Sequence, residues 1–323
     1  MRDRSLFWPI VFIGVGAIWL LVNANLIPPV NWLGLLRLWP LLLIAAGLEV
    51  LVGRRSPLAS ALIGLATVGA AVALVYLAPR LNLPGSQVRT DHFSEPIGEA
   101  ASAEITLDLS AYPVEVSSAA GSGTLIDAEI STTGETQFEA SGTSTKTVLV
   151  GTRQETPFSF DWLGPEDHAW RIGLSGAIPL ELSVDVGSGA TTLDLAGLTL
   201  AGLAIDGGSG AVSLALPASE TAYEASIDGG SGAWRVTVPA GAEASLSYDG
   251  GSGSLTVELA AGAAARVEVR DSGSGSVRLP AGWETVSRGD GDEGVWQTPG
   301  LDNAGSAFTL VIDGMGSGSV AVR

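Results

Sequence analysis

Apolar residues follow two different rhythms along this chain. Up to residue 80 they run almost unbroken, over 6–22, 32–52 and 58–78; beyond residue 100 they alternate with small or polar residues in short runs. The unbroken runs are 17 to 21 residues long. At about 1.5 Å per residue such a helix crosses a hydrocarbon core of about 30 Å. The first run passes into Asn23, Asn25 and Pro28-Pro29 without a small-residue cleavage site, so the pattern predicts three retained membrane helices and no cleaved leader.

Arginine placement orients these helices, because Lys and Arg flanking a span stay on the cytoplasmic side. With the N-terminus inside, Arg2, Arg4, Arg54 and Arg55 are cytoplasmic while Arg80 and Arg89 are outside. Three spans then put the rest of the chain outside the cytoplasm. Arg37 and Glu49 share the second span, but twelve residues of helix hold them roughly 18 Å apart. We read Arg37 as snorkelling at the outer end and Glu49 as lying near the inner end beside Arg54. Trp8, Trp32 and Trp39 are expected at the interface, and Gly14 and Gly16 permit close helix contact.

The second rhythm repeats. Gly-Ser-Gly is centred on Ser188, Ser209, Ser231, Ser252, Ser274 and Ser317, in steps of 21, 22, 21, 22 and 43. A further copy, Gly121-Ser122-Gly123, lies 66 residues before Ser188. A period of about 21.5 residues implies stacked units, with the last step a double one holding a degenerate repeat near Gly294-Val295. Each repeat reads as two short strands. The inward sets are Val212/Leu214/Leu216, Trp234/Val236/Val238, Leu255/Val257/Leu259 and Val277/Leu279, and the second strands turn Ile205, Ile227, Tyr248, Val269 and Ile312 inward. Since no repeat buries its apolar face alone, neighbours must share one core, which predicts an all-β solenoid. Residues 1–80 are thus a helical anchor, 81–99 a linker and 100–323 the solenoid. Within it, 100–186 read as degraded early rungs, Pro157–Trp170 as an end cap and Gly282–Gly305 as a widened loop.

Charge divides at the same place. Residues 1–80 hold two acids and six arginines, near +4; residues 81–323 hold 32 acids and ten bases, near −22. A domain at −22 repels phosphate backbones, which excludes nucleic acid as a partner. With no cysteine and two histidines, the chain builds no thiolate zinc site, Cys nucleophile, disulfide framework or His-rich centre. Every glycine turn lies between strands, and the single lysine is Lys146, so a phosphate cradle is not expected. No catalytic constellation stands out from the repeats, and we expect neither enzyme activity nor a cofactor.

Asp185, Asp206, Asp228, Asp249 and Asp271 each lie two residues before a Gly-Ser-Gly, and Asp313 three before. Two readings follow. As turn residues, their carboxylates bond to backbone N–H groups of the turn and offset a mutual repulsion of roughly 0.9 kcal/mol per contact at about 4.8 Å. As a calcium ladder, they line up for a hard cation. The turn reading is favoured, because the calcium β-roll has a nine-residue period and places Asp after its glycines.

Two regions resemble one family. Gly14-x-Gly16, Trp19-Leu20-Leu21-x-Asn23 and Leu38-Trp39-Pro40-Leu41-Leu42-Leu43 resemble the LiaI/LiaF-type transmembrane region. Ile178-Pro-Leu-Glu-Leu-Ser-Val-Asp-Val-Gly-Ser-Gly, Leu193-Asp-Leu-Ala-Gly-Leu and Leu203-Ala-Ile-Asp-Gly-Gly-Ser-Gly are similar to the toastrack β-solenoid of LiaF-like cell-wall-antibiotic-response proteins. The resemblance implies a membrane-bound accessory protein of envelope-stress signalling, whose relatives restrain a sensor histidine kinase until the wall is damaged. It implies no catalytic residues. This sequence shows three spans where relatives often have four. The expected partners are the lipid bilayer and a membrane sensor kinase or envelope component. The competing class is a surface adhesin or glycan-binding solenoid, for which Trp283 and Trp296 on the widened loop are the candidate contacts.

Overall fold

The computed structural model describes residues 7–23, 39–51, 57–77, 89–109, 112–132, 134–153, 169–301 and 304–323. The chain forms two compact units, Met1–Val88 with Glu155–Asp167, and Arg89–Gln154 with His168–Arg323; the described elements of the first are helices and those of the second are strands. In the first unit the apolar runs become α1 (Phe7–Asn23), α2 (Trp39–Leu51) and α3 (Pro57–Leu77). Residues 32–38, Arg2, Arg4, Arg37, Arg54, Arg55 and Arg80 lie outside the described residues, and with them most of the basis for orientation.

Among the described residues no helix is long and apolar enough to cross a membrane. Of the second predicted span, the described residues include the 13 of α2, a rise of about 20 Å. The α3 backbone continues for 21 residues without a charge, a rise of about 31 Å. A Cβ on Gly14 would come within 2.7 Å of Val68, and one on Gly64 within 3.2 Å of Ile10. These two glycines serve contact between α1 and α3, while Gly16 has open space on that side. Glu49 lies in the last turn of α2, and its side chain is buried. The Ser60 hydroxyl donates to Glu49 Oε1 at 2.8 Å, and the Phe7 N–H donates to Ser60 Oγ at 3.0 Å. One polar node therefore links the three helices and engages an N–H at the start of α1, where a helix has no partner of its own.

From Arg89 the described residues form 21 strands in two sheets. They begin with β1 (Arg89–Pro96), β2 (Ser102–Leu109), β3 (Val114–Ser117), β4 (Thr124–Thr132), β5 (Glu135–Ser141), β6 (Thr145–Arg153) and β7 (Trp170–Leu174). The regular rungs are β8 (Leu180–Val186) with β9 (Thr191–Asp194), β10 (Leu200–Gly207) with β11 (Val212–Ala215), β12 (Ser219–Asp228) with β13 (Ala233–Val238), and β14 (Ala242–Asp249) with β15 (Ser254–Leu259). Each rung gives one strand to each sheet, paired in parallel with its neighbours. Identical positions therefore stack: Val184, Ile205, Ile227 and Tyr248 form one column. Leu193, Leu214, Val236 and Val257 form another. The predicted inward residues are buried in one core, with Leu259, Val277 and Leu279 partly buried at its end. Two apolar columns facing across the rungs, at about 1.5–3 kcal/mol per fully buried side chain, are what closes the solenoid.

Both ends depart from the repeat. β16 (Ala265–Val269) and β17 (Ser276–Arg278) do not stack on β14 and β15. The C-terminal pair, β20 (Phe308–Gly314) and β21 (Ser319–Val322), inserts between them, β20 against β14 and β16, β21 against β15 and β17. The step of 43 is therefore a strand-order exchange with no degenerate rung inside it. The predicted widened loop holds an antiparallel hairpin, β18 (Glu284–Arg288) and β19 (Gly294–Gln297), laid on β16.

At the other end β2 and β3 stack directly on β8 and β9. Residues 124–174 leave this rung and return, adding β6 beside β2 and β7 beside β3, with β5 and β4 antiparallel outside them. β2 with β3 and β6 with β7 are thus two early rungs stacked out of sequence order, β4 and β5 are the end structure beyond them, and Gly121-Ser122-Gly123 turns into β4 away from the rung series. β1 closes the same sheet edge against β4, so the β unit starts inside the predicted linker. The predicted cap at Pro157–Trp170 lies, apart from Ala169 and Trp170, outside the described residues; Trp170 begins β7 and is buried.

Candidate functional site

The glycine turns stack as closely as the strands. A Cβ on Gly210 would overlap the carbonyl oxygen of Gly189, one on Gly232 that of Gly210, and one on Gly253 that of Gly232. The series continues with Gly318 over Gly253 and Gly275 over Gly318, repeating the exchanged strand order. Backbone-to-backbone bonds run between turns, including Gly208 N–H to Val186 O at 2.7 Å and Ser231 N–H to Gly208 O at 3.2 Å. Gly-Ser-Gly thus recurs because one corner of the solenoid is packed main chain on main chain, which leaves no room for a side chain. The serines line an open groove of about 490 Å³ along this corner. Trp234 fills the inside of the corner and donates from Nε1 to Gly229 O at 2.7 Å.

The outer face of the sheet containing β10 carries the aspartates. Pairing brings Asp185, Asp206, Asp228 and Asp249 onto one line across adjacent strands, all exposed. Asp108 of β2 heads the same line beside Asp185. Sequence reasoning missed it because its distance from Asp185 breaks the period; the shared pattern of Leu107-Asp108-Leu109 and Val184-Asp185-Val186 was the available signal. Glu104 and Glu181 pair across β2 and β8, and Glu224 of β12 lies one strand beyond Gly202. Between the acid rows Thr106, Ser183, Ala204, Ser226 and Ser247 floor a shallow groove of about 440 Å³. None of β2, β8, β10, β12 or β14 contains a basic residue.

Asp271 does not join the line. It caps its own turn, accepting from the Gly273 N–H at 2.8 Å. Of the five predicted aspartates, it is the one that makes the expected side-chain bond to its turn's backbone. Asp313 is displaced by a register shift and accepts from the Ser247 hydroxyl at 2.6 Å and from Arg270 at 2.8 Å. The Ser247 hydrogen bond, opposed by burial and then aided by Arg270, holds its carboxyl below the usual range. Beneath the row, burial, with added charge from Asp228 and Asp249, pushes the Tyr248 phenol up to about 12. Burial also raises Tyr223, whose hydroxyl has no hydrogen-bond partner.

Among the described residues no three His, Asp or Glu side chains converge to hold a metal ion. A calcium ion on the aspartate row would draw on carboxylates from neighbouring strands and take most of its six to eight oxygens from water. Across β2, β8, β10, β12 and β14 the carboxylates of the row repel one another with no basic residue on those strands. Asp206→Asn is accordingly expected to raise the melting temperature by about 1–3 °C at low ionic strength, a gain that shrinks at about 0.5 M salt. Calorimetry with and without millimolar calcium checks this, since calcium stabilisation that Asp206→Asn abolishes would assign the row to the cation.

Trp283 and Trp296 each keep part of their surface in solvent and pack one side against the core. Both are partly buried against it at the hairpin end, with Trp296 paired to Val267 and Thr285 across its strands. The large exposed hydrophobic of the β unit among the described residues is Val286.

Residues 84–237 match the N-terminal domain of toast_rack, and residues 6–51 match the LiaI-LiaF-like transmembrane region. No curated protein matches the chain. Among solved structures, one described provisionally as a cell adhesion protein from Clostridium sporogenes is 14% identical with a TM-score of 0.46, over 73% of this chain and 99% of that one. Another, described provisionally as an adhesin from Bacteroides fragilis, is 12% identical with a TM-score of 0.30, over 75% of this chain and 99% of that one.

Proposed function

We propose that this chain, which joins a LiaI-LiaF-like transmembrane region to a toast_rack domain, is a membrane-anchored modulator of envelope-stress signalling that works by protein contact and not by catalysis. The observation that carries this reading is the presence of both regions in one chain. It is supported by a β unit in which main-chain stacking fixes the turns and the acids spread along a face instead of converging. Such a unit presents a stiff surface of constant spacing, suited to contact with a protein or an envelope component. We place it outside the cytoplasm on the arginine distribution.

The test is a strain lacking the protein, carrying a reporter driven by an envelope-stress promoter and challenged with a cell-wall-active antibiotic. The reporter's basal level or antibiotic response is expected to change several-fold, and re-expression of the full chain is expected to restore it. An unchanged reporter together with lost surface adhesion would replace this reading with the adhesin class. Protease treatment of intact cells tests the side: cleavage of the β unit only after lysis would overturn the placement.

A further inference from the structure

β1 is built differently from the rungs. It is the terminal strand of its sheet, paired only with β4, whereas each central rung strand has a partner on both sides. Its half-buried positions are Asp91, Phe93 and Glu95, where the rungs bury Val, Ile and Leu. Those three residues fasten β1 to the end of the opposite sheet. Asp91 Oδ2 accepts from the Thr136 hydroxyl of β5 at 3.1 Å, and also from Arg89 of its own strand. Phe93 stacks on Phe138 of β5 with ring centroids 4.8 Å apart, and Glu95 forms an ion pair with Lys146 of β6. Eleven residues of chain, 78–88, separate β1 from the end of α3.

We propose that β1 is a releasable strap, which opens from β4 and from the β5–β6 hairpin as one unit while the rungs stay folded. A terminal strand gives up one backbone ladder on opening, and this one uncovers one aromatic side chain and two carboxylates already close to water. Opening a central strand would break two ladders and expose a complete apolar column. After release, β4 still pairs with β7, and β5–β6 with β2, so the core keeps its neighbours. The freed element is the one joined in sequence to the membrane helices. A displacement of the anchor therefore pulls on β1 through the chain that joins them, and release of β1 bares the β4 edge and Phe138. The proposal takes from the preceding reading only that the anchor precedes the β unit.

Hydrogen exchange on the full chain in lipid nanodiscs tests it without any signalling readout, so it stands or falls separately from the proposed function. The amides that bond β1 to β4 are expected to exchange with one shared rate, at least about 100-fold faster than those of β10, β12 and β14. Lys146→Ala is expected to accelerate β1 further and leave the three central strands unchanged. Joining Phe93→Cys to Phe138→Cys with a short bismaleimide, in a chain with no other cysteine, is expected to slow β1 toward the central rate. A graded rate from Arg89 to Glu95 would show fraying instead of a strap. A β1 rate equal to that of the centre, or a uniform response to Lys146→Ala, would also overturn it.

Discussion

Gly210→Ala is expected to destabilise the β unit by about 3 kcal/mol or more, a fall in melting temperature of roughly 6–12 °C for a domain of this size. The methyl group would overlap the carbonyl oxygen of Gly189, and Gly232 presses on Gly210 from the other side. Relief requires moving one turn off the next, which breaks the stack of backbone and loosens the pairing of β9, β11 and β13 at their starts. Gly241→Ala is the control. That residue sits in the opposite corner at φ +81°, with nothing within 4 Å of its missing Cβ. Its cost is the left-handed backbone alone, about 1–2 kcal/mol. Thermal unfolding of both variants checks the ordering, and equal losses would mean that the Gly-Ser-Gly repeat reflects turn conformation instead of close stacking.

The contrast shows which parts of this fold were legible. Period-two alternation identified Val212, Leu214, Val236 and Ile227 as core because burial of one face is a local demand, written at every second residue. The 21.5-residue period implied stacking for the same reason. Pairing order is not local. Nothing in Phe308–Gly314 distinguishes a strand that follows β16 from one that slips between β14 and β16, since all three offer the same alternation to either neighbour. β1 was hidden by the opposite effect. Its inward Asp91 and Glu95 are satisfied by Thr136 and Lys146, residues far away in sequence, so its alternation was polar and read as linker. The aspartate line was legible for the same reason as the rungs, up to Asp108, where the intervening residues 124–174 destroyed the spacing. The hydroxyl partner of Glu49 was not legible because Ser60 belongs to another helix.

Removing residues 300–323 is expected to have a much larger effect than the loss of a terminal rung. In the observed order β16 is held by β20 and β19, and β17 by β21, so deletion of β20 and β21 cuts the hairpin end from the rest of the unit. It also strips Phe308, Leu310, Ile312, Met315, Val320 and Val322 from the core. Six side chains at about 1.5–3 kcal/mol each give a loss on the order of 10 kcal/mol, an upper estimate because the unfolded segment is itself partly compact. The expected product keeps 89–259 folded, exposes 265–297 to protease, and self-associates through the bared edges of β14 and β15. Limited proteolysis with mass mapping, alongside size-exclusion chromatography, reads all three. Had the rungs stacked in sequence order, 265–297 would remain protected on β14 and β15 and the protein would stay monomeric, and that result would refute the exchanged order. The β20–β21 pair is thus the wedge that joins the hairpin cap to the stack.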